Sequence, residues 1–236
     1  MDGDFSVVTV LRYDPALTQV TGSAFEHAGW NHGHSSPFYL LDFHRDRMLK
    51  AATYFQWQPA IDVLSADGVL KALDQSSRSF IGAFESNPIR LKILVNRHGK
   101  ISFEKGPIPS LSLVNLFPKR LPAPQTAVAE GDAPRHPENV LVVDHEGTQR
   151  SEHTHYKTSL RPMYDAARQR VGIAPGEPKE VLILDTTAKM VTEASLTTPY
   201  FWREGRWVTP PISASFSKTE GAGGIDGVSR RWALER

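Results

Sequence analysis

The chain has 236 residues, of which 40% are hydrophobic and 22% charged, enough to bury a sizeable core in one or, more in keeping with the length, two globular domains. Its 27 basic and 26 acidic side chains nearly cancel, which argues against a dedicated nucleic-acid binder; the absence of cysteine excludes disulfide frameworks, thiolate metal sites and a cysteine nucleophile. No apolar run reaches membrane-spanning length, and Met1 to Phe5 carries Asp2 and Asp4 with no basic stretch, so no membrane span or secretory signal is visible and a cytoplasmic location is expected.

Residues 5–11, Phe-Ser-Val-Val-Thr-Val-Leu, are rich in β-branched side chains and read as a strand. Residues 20–37, rich in Gly, His and Ser, read as a loop, and Phe38 to Leu41 as a short apolar strand. From about Asp42 the spacing of Met48, Ala52 and Phe55 is helical, and Gln58-Pro59 ends that helix. A second helix is expected from about Ser65 to Phe84, with Val69, Leu73, Phe80 and Phe84 along one face. Pro88 opens a hairpin: Ile89, Leu91, Ile93 and Val95 alternate, Asn96 to Gly99 turns, and Ile101 and Phe103 answer. Prolines 118, 122, 124, 134 and 137 mark a linker over 118–138, between a small N-terminal α/β domain (1–117) and a larger C-terminal domain (139–236).

The second half opens with a strand, Val140 to Asp144. A helix follows from about Leu160 to Arg170, with Pro162 tolerated in its first turn. Val181 to Asp185 reads as a buried strand, Met190 to Glu193 and Tyr200 to Arg203 as further strands, and Gly205 as a turn. Glu220 to Gly227 is glycine-rich and leads into a helix beginning near Val228.

Four features could carry chemistry. Lys157 stands between a strand and a helix, where desolvation can make a lysine amine nucleophilic toward carbonyls; an ordinary surface lysine is the plain alternative. Glu193 is an acid in an apolar strand, either a buried carboxylate needing a partner or an outward residue. Arg47 suits a phosphate if it faces inward and a surface ion pair if it does not. The glycine-rich run before Val228-Ser229-Arg230 is either a flexible loop or a backbone anion site. His32-x-His34 and His153-x-His155 lack a further ligand at metal-site spacing and read as loop histidines, so no metal is expected. A Gly-x-Ser-x-Gly elbow is absent.

These features occur in an order that resembles the class IV aminotransferases, the fold-type IV pyridoxal 5′-phosphate (PLP) enzymes, and most of all their fungal aminodeoxychorismate lyase-like branch. The resembling stretches are Phe5 to Pro15, Phe38 to Leu41 running into His44-Arg45-Asp46-Arg47-Met48, and Pro88 to Phe103. In the second half they are His155 to Thr158 with Arg161, Tyr164 to Arg168, Val191 to Ser195, Thr209-Pro210-Pro211 and Gly227 to Arg230. The resemblance implies a two-domain α/β (α+β) fold like that of D-amino acid aminotransferase, PLP as cofactor, and a homodimer acting on a small molecule. It gives Lys157 the role of the lysine that carries the cofactor covalently. Glu193 becomes the acid at the pyridine nitrogen, Arg47 the phosphate arginine, and Val228 and Ser229 backbone phosphate donors. The physics agrees: a protonated ring nitrogen needs a carboxylate, and a phosphate needs an arginine and N–H groups without partners.

The branch implies release of pyruvate from aminodeoxychorismate to give 4-aminobenzoate, a folate precursor. That substrate carries two carboxylates, and Arg12, Arg97 and Arg161 are the candidate cations for them. A transaminase of branched-chain amino acids, D-amino acids or amines is the alternative on the same site, and a non-catalytic PLP-fold protein is a third reading. Two departures accompany the resemblance. Thr197 and Thr198 stand where the family usually has Asn, and members usually continue beyond the helix of Arg230, Trp232 and Leu234 with a further strand and helix. An apolar patch around Trp232 and weak PLP binding are expected from the second departure.

Overall fold

The structure, a computed structural model, describes residues 4–83, 85–124 and 140–236. The chain divides into two compact units, one of residues 1–119, 157–159 and 231–236, the other of residues 120–156 and 160–230. Of the expected linker over 118–138, residues 125–138 lie outside the described residues.

The first unit opens with β1 (Ser6–Tyr13). A 3-10 turn, Pro15–Val20, leads into the stretch that composition reads as loop, and a second, Glu26–Ala28, and a one-turn helix α1 (Trp30–Gly33) lie within it. Buried Asn31 ties that stretch together: its side-chain nitrogen donates to Phe38 O at 3.0 Å and its oxygen accepts from Leu40 N at 2.8 Å. The expected strand over Phe38 to Leu41 shrinks to a single bridge between Phe38 and Tyr13, because Leu40 takes a left-handed φ of 49° that ends the extended run and launches the next helix.

That helix is α2 (Leu41–Tyr54). Pro59 then begins α3 (Gln58–Ser65) rather than merely ending what precedes it, since a first-turn proline forfeits no helical hydrogen bond. In α4 (Val69–Ile81) the buried positions are Val69, Leu73, Ser77 and Ile81, a stripe advancing by four. Phe80, expected on that face, is instead 40% exposed and stacks on Phe103, while Phe84 lies outside the described residues.

The hairpin expected after Pro88 is β2 (Ile89–Asn96) and β3 (Ile101–Pro107), with Ile93 opposite Phe103 and Val95 opposite Ile101. Gly99 turns it at φ +75°, and a Cβ there would meet Pro59 O at 2.7 Å, so only glycine fits. The sheet order is β1-β2-β3, antiparallel throughout, and the short α5 (Leu113–Leu116) follows.

In the second unit β4 (Val140–Val143) is followed by the one-turn α6 (Glu152–His155) and by α7 (Pro162–Arg170). Strand β5 (Lys179–Leu184) lies between β4, to which it is parallel, and β6 (Val191–Ala194), to which it is antiparallel. A hairpin of β7 (Phe201–Arg203) and β8 (Arg206–Val208) comes next, turned at Gly205 as expected. The core packs Tyr164 and Ala167 of α7 on Val181 and Ile183 of β5, with Ile173 and Ile225 beside them. A buried ion pair, Arg150 to Asp185 at 2.9 Å, braces the start of α6 against the turn after β5.

Helix α8 (Val228–Glu235) begins where the glycine run predicts, and its last residues belong to the first unit. The exposed patch expected around Trp232 is not there. Trp232 is 5% exposed, donates its ring N–H to His27 O at 3.1 Å and packs edge-on against Phe117, whereas Leu234, at 58%, stands in solvent.

Candidate functional site

The candidate residues fall in both units. In the first unit residues 157–159 lie extended beside β1. Val8 N–H donates to Lys157 O at 2.8 Å, and Ser159 N–H to Ser6 O at 2.9 Å. Lys157 therefore follows a helical turn, α6, rather than the expected strand, and it gains its fixed backbone from the edge of β1.

Arg47 and His44 stand three residues apart on α2 and so share a face. Both reach Thr9 of β1. Arg47 Nη2 donates to Thr9 Oγ1 at 2.6 Å, and Thr9 Oγ1 lies 2.6 Å from His44 Nδ1. His44 is 3% exposed, and burial first, then the charges of Arg47 and Lys157, push its pKa well below the ordinary 6.5. Two cations thus lie close enough to one buried imidazole to hold it neutral, an arrangement suited to an anion.

In the second unit Glu193 faces inward from β6 at 8% exposure. Its Oε1 accepts from Tyr164 Oη at 2.5 Å, and Oε2 accepts from Ile225 N at 3.4 Å. Burial, then the Glu193 charge, pushes the Tyr164 phenol well above its ordinary value. The glycine-rich segment makes this approach possible: a Cβ on Gly224 would lie 2.5 Å from Thr192 O and 3.2 Å from Glu193 Cβ. Val228 and Ser229 begin α8, where backbone N–H groups have no partner within the helix. Thr198 packs against this helix start; a Cβ on Gly227 would lie 2.8 Å from its Oγ1.

The three candidate substrate arginines differ in setting. Arg12 is 9% exposed and engaged by Asp14 at 2.7 Å and by Pro109 O at 3.0 Å. Arg97 lies exposed in the turn of the β2–β3 hairpin. Arg161 stacks over the Tyr164 ring, 4.6 Å from its centroid, and donates to Ser195 O at 2.6 Å. Thr9, His44 and Ile225 are not singled out by sequence reasoning. Only the three-residue spacing of His44 and Arg47 carries a local signal. Among the described residues no group of three or more His, Asp or Glu is placed to hold a metal, and no helix is long and apolar enough to cross a membrane.

The mixed α/β architecture is that of solved aminotransferases. A protein from Mesorhizobium loti assigned as an amino-acid aminotransferase superposes with a TM-score of 0.56 at 20% identity, over 98% of this chain and 83% of that one. One from Thermotoga maritima, assigned as a branched-chain amino acid aminotransferase, gives 0.55 at 16% identity, over 98% of this chain and 62% of that one. A hypothetical aminotransferase from Mycobacterium tuberculosis, in its apo form, gives 0.56 at 14% identity, over 99% and 68%. No curated protein gives a significant match. Residues 23–236 match the family model of amino-transferase class IV, and the chain belongs to that family, whose members are generally PLP-dependent.

Proposed function

We propose that the chain is a PLP-dependent class IV aminotransferase, moving an amino group from a small amino acid or amine to a keto acid. The observation that carries this reading is Glu193, a carboxylate 8% exposed and oriented by Tyr164 and the Ile225 amide. A buried carboxylate has to be hydrogen-bonded, and beside the Tyr164 phenol and the Ile225 amide its oxygens have capacity to accept from a protonated pyridine nitrogen as well. The family resemblance assigns the remaining donors to the same group. Arg47 and the Val228 and Ser229 amides are suited to a phosphate, and the Lys157 amine to an aldehyde.

When bound, PLP supplies an electron sink for charge that develops at the substrate's α-carbon. The chain's residues would then act in these ways. Glu193 holds a proton at the ring nitrogen. Lys157 Nζ would be the base that takes the proton from the substrate Cα. Arg47 and Lys157 are both coupled to the buried His44 ring, so a proton on that ring would add a third cation there, and the ring stays neutral. Arg161 is the candidate for the substrate carboxylate, its guanidinium held by the Tyr164 ring and Ser195 O. The reading carries with it a homodimer in the cytoplasm, a small-molecule substrate and no nucleic-acid partner.

The test is a half-reaction. Protein incubated with PLP should develop a visible band at roughly 410–430 nm, and an amino donor added without acceptor should bleach it as the amine form accumulates. Pyruvate release from aminodeoxychorismate, with no bleaching by amino donors, would replace the aminotransferase with the lyase that the sequence likeness implies. No visible band under any condition would refute both.

A further inference from the structure

We propose that Thr9 and His44 are positioning residues for Arg47: the Thr9 hydroxyl, bound to the His44 ring, fixes the guanidinium in the orientation in which it takes a phosphate monoester. The proposal rests on the reading above, in which Arg47 meets the phosphate of PLP, and concerns what aims it.

A threonine hydroxyl has one proton and two lone pairs. A guanidinium N–H can only donate, so at 2.6 Å from Arg47 Nη2 the Thr9 oxygen is the acceptor. Its own proton must go elsewhere, and His44 Nδ1 stands 2.6 Å away. That ring nitrogen is therefore the acceptor, and the imidazole carries its proton on Nε2. The opposite assignment, with a proton on Nδ1, would leave both neighbours donating into one oxygen and the Thr9 proton without a place among them. The chain of bonds has one direction: Arg47 to Thr9, Thr9 to His44.

Each link is stiff. Thr9 is 0% exposed, sits opposite Ile93 in the middle of β1, and is β-branched, so its hydroxyl has few directions to point. His44 is buried at 3% exposure on the second turn of a fourteen-residue helix. Arg47, one turn further on, has by contrast a long and flexible stem, and it is the member that gains from being held. Preorganising a phosphate donor in this way raises affinity by reducing what binding must order. The charged groups coupled to His44 are Arg47 and Lys157, both cations, so nothing among them favours protonating the ring.

The experiment compares dissociation constants for PLP and for pyridoxal, which lacks the phosphate, in the full chain. The double variant Thr9→Val/His44→Leu replaces both partners by apolar groups of similar size and orphans neither, which keeps folding in reach. It should weaken PLP at least tenfold while pyridoxal affinity stays within about twofold. Thr9→Ser and His44→Asn, which retain the hydroxyl and an acceptor near the Nδ1 position, should keep most of the preference for PLP. An unchanged PLP-to-pyridoxal ratio in the double variant would overturn the proposal, because a merely structural role would lower both affinities alike. Arg47→Ala serves as the control: loss of the ratio there with none in the double variant sinks the positioning role alone, whereas no loss in Arg47→Ala sinks the phosphate reading and this proposal with it.

Discussion

By composition alone Lys157 could be an ordinary surface lysine. What distinguishes it is a backbone pinned to β1 and a place near the Arg47–His44 pair. The expected outcome of borohydride reduction after PLP incubation is a single labelled peptide containing Lys157; a label on Lys189 or Lys218 would end that assignment. Lys157→Ala should abolish turnover with little effect on folding, read by circular dichroism.

His44 makes a second prediction at this scale. Its folded-state pKa is depressed, so below the unfolded value of about 6.5 the unfolded chain takes up a proton that the native chain refuses. Stability therefore falls as pH drops below 6.5, by up to about 1.4 kcal/mol per pH unit, until the native ring itself titrates. The native carboxylates act in the same direction at lower pH. Burial alone would raise Asp144 and Asp185, but Arg170 holds the first below its usual range, as the turn amides and Arg150 do the second. Their stabilisation is present above the ordinary carboxylate range and is lost as pH falls from there through their lowered native values. Denaturant midpoints measured from pH 7 to 5 should drop in the native chain and flatten in His44→Leu.

Among the elements, the glycine-rich segment before α8 illustrates why spacing alone left two readings. Runs of glycine suit a flexible loop, yet Gly224 packs against the β6 backbone so closely that a methyl group would overlap Thr192 O. Gly224→Ala should cost about 1–3 kcal/mol by overpacking and should move the Ile225 amide away from Glu193. Chemical denaturation gives the first quantity, and a weakened visible band at saturating PLP the second. A variant as stable as the parent would show that the segment yields and that its close packing is unimportant. The α4 face shows the same division between local and distant causes. Its four-residue stripe is legible from periodicity, but Phe80 leaves it for a stack on Phe103, a partner from β3 that local spacing cannot name.

For the molecule as a whole, the proposed homodimer is tested by sedimentation at micromolar concentration, with and without PLP. A two-fold pair is the expected state on general grounds of symmetry and on the family likeness. A monomer that keeps PLP and catalyses amino transfer would contradict it.

Much of this protein is legible without coordinates. The hairpin after Pro88, helices α2, α4, α7 and α8, and strands β1 and β5 follow from hydrophobic periodicity and turn chemistry, which act between near neighbours in the chain. The ordered motifs around Arg47, Lys157 and Glu193 carry the likeness to class IV aminotransferases. What periodicity could not decide is which polar groups point inward and what they meet. Glu193 faces the core because α7 and the Ile225 amide come to it from 29 and 32 residues away. Arg12 is engaged by a carboxylate two residues on, and a carbonyl 97 residues on completes its setting. The bond of His44 to Thr9 spans 35 residues. Partnerships of that range are created when strands pair and helices dock, and they determine the charge, direction and freedom of each group. The chemistry available to those groups depends on these contacts more than on residue type.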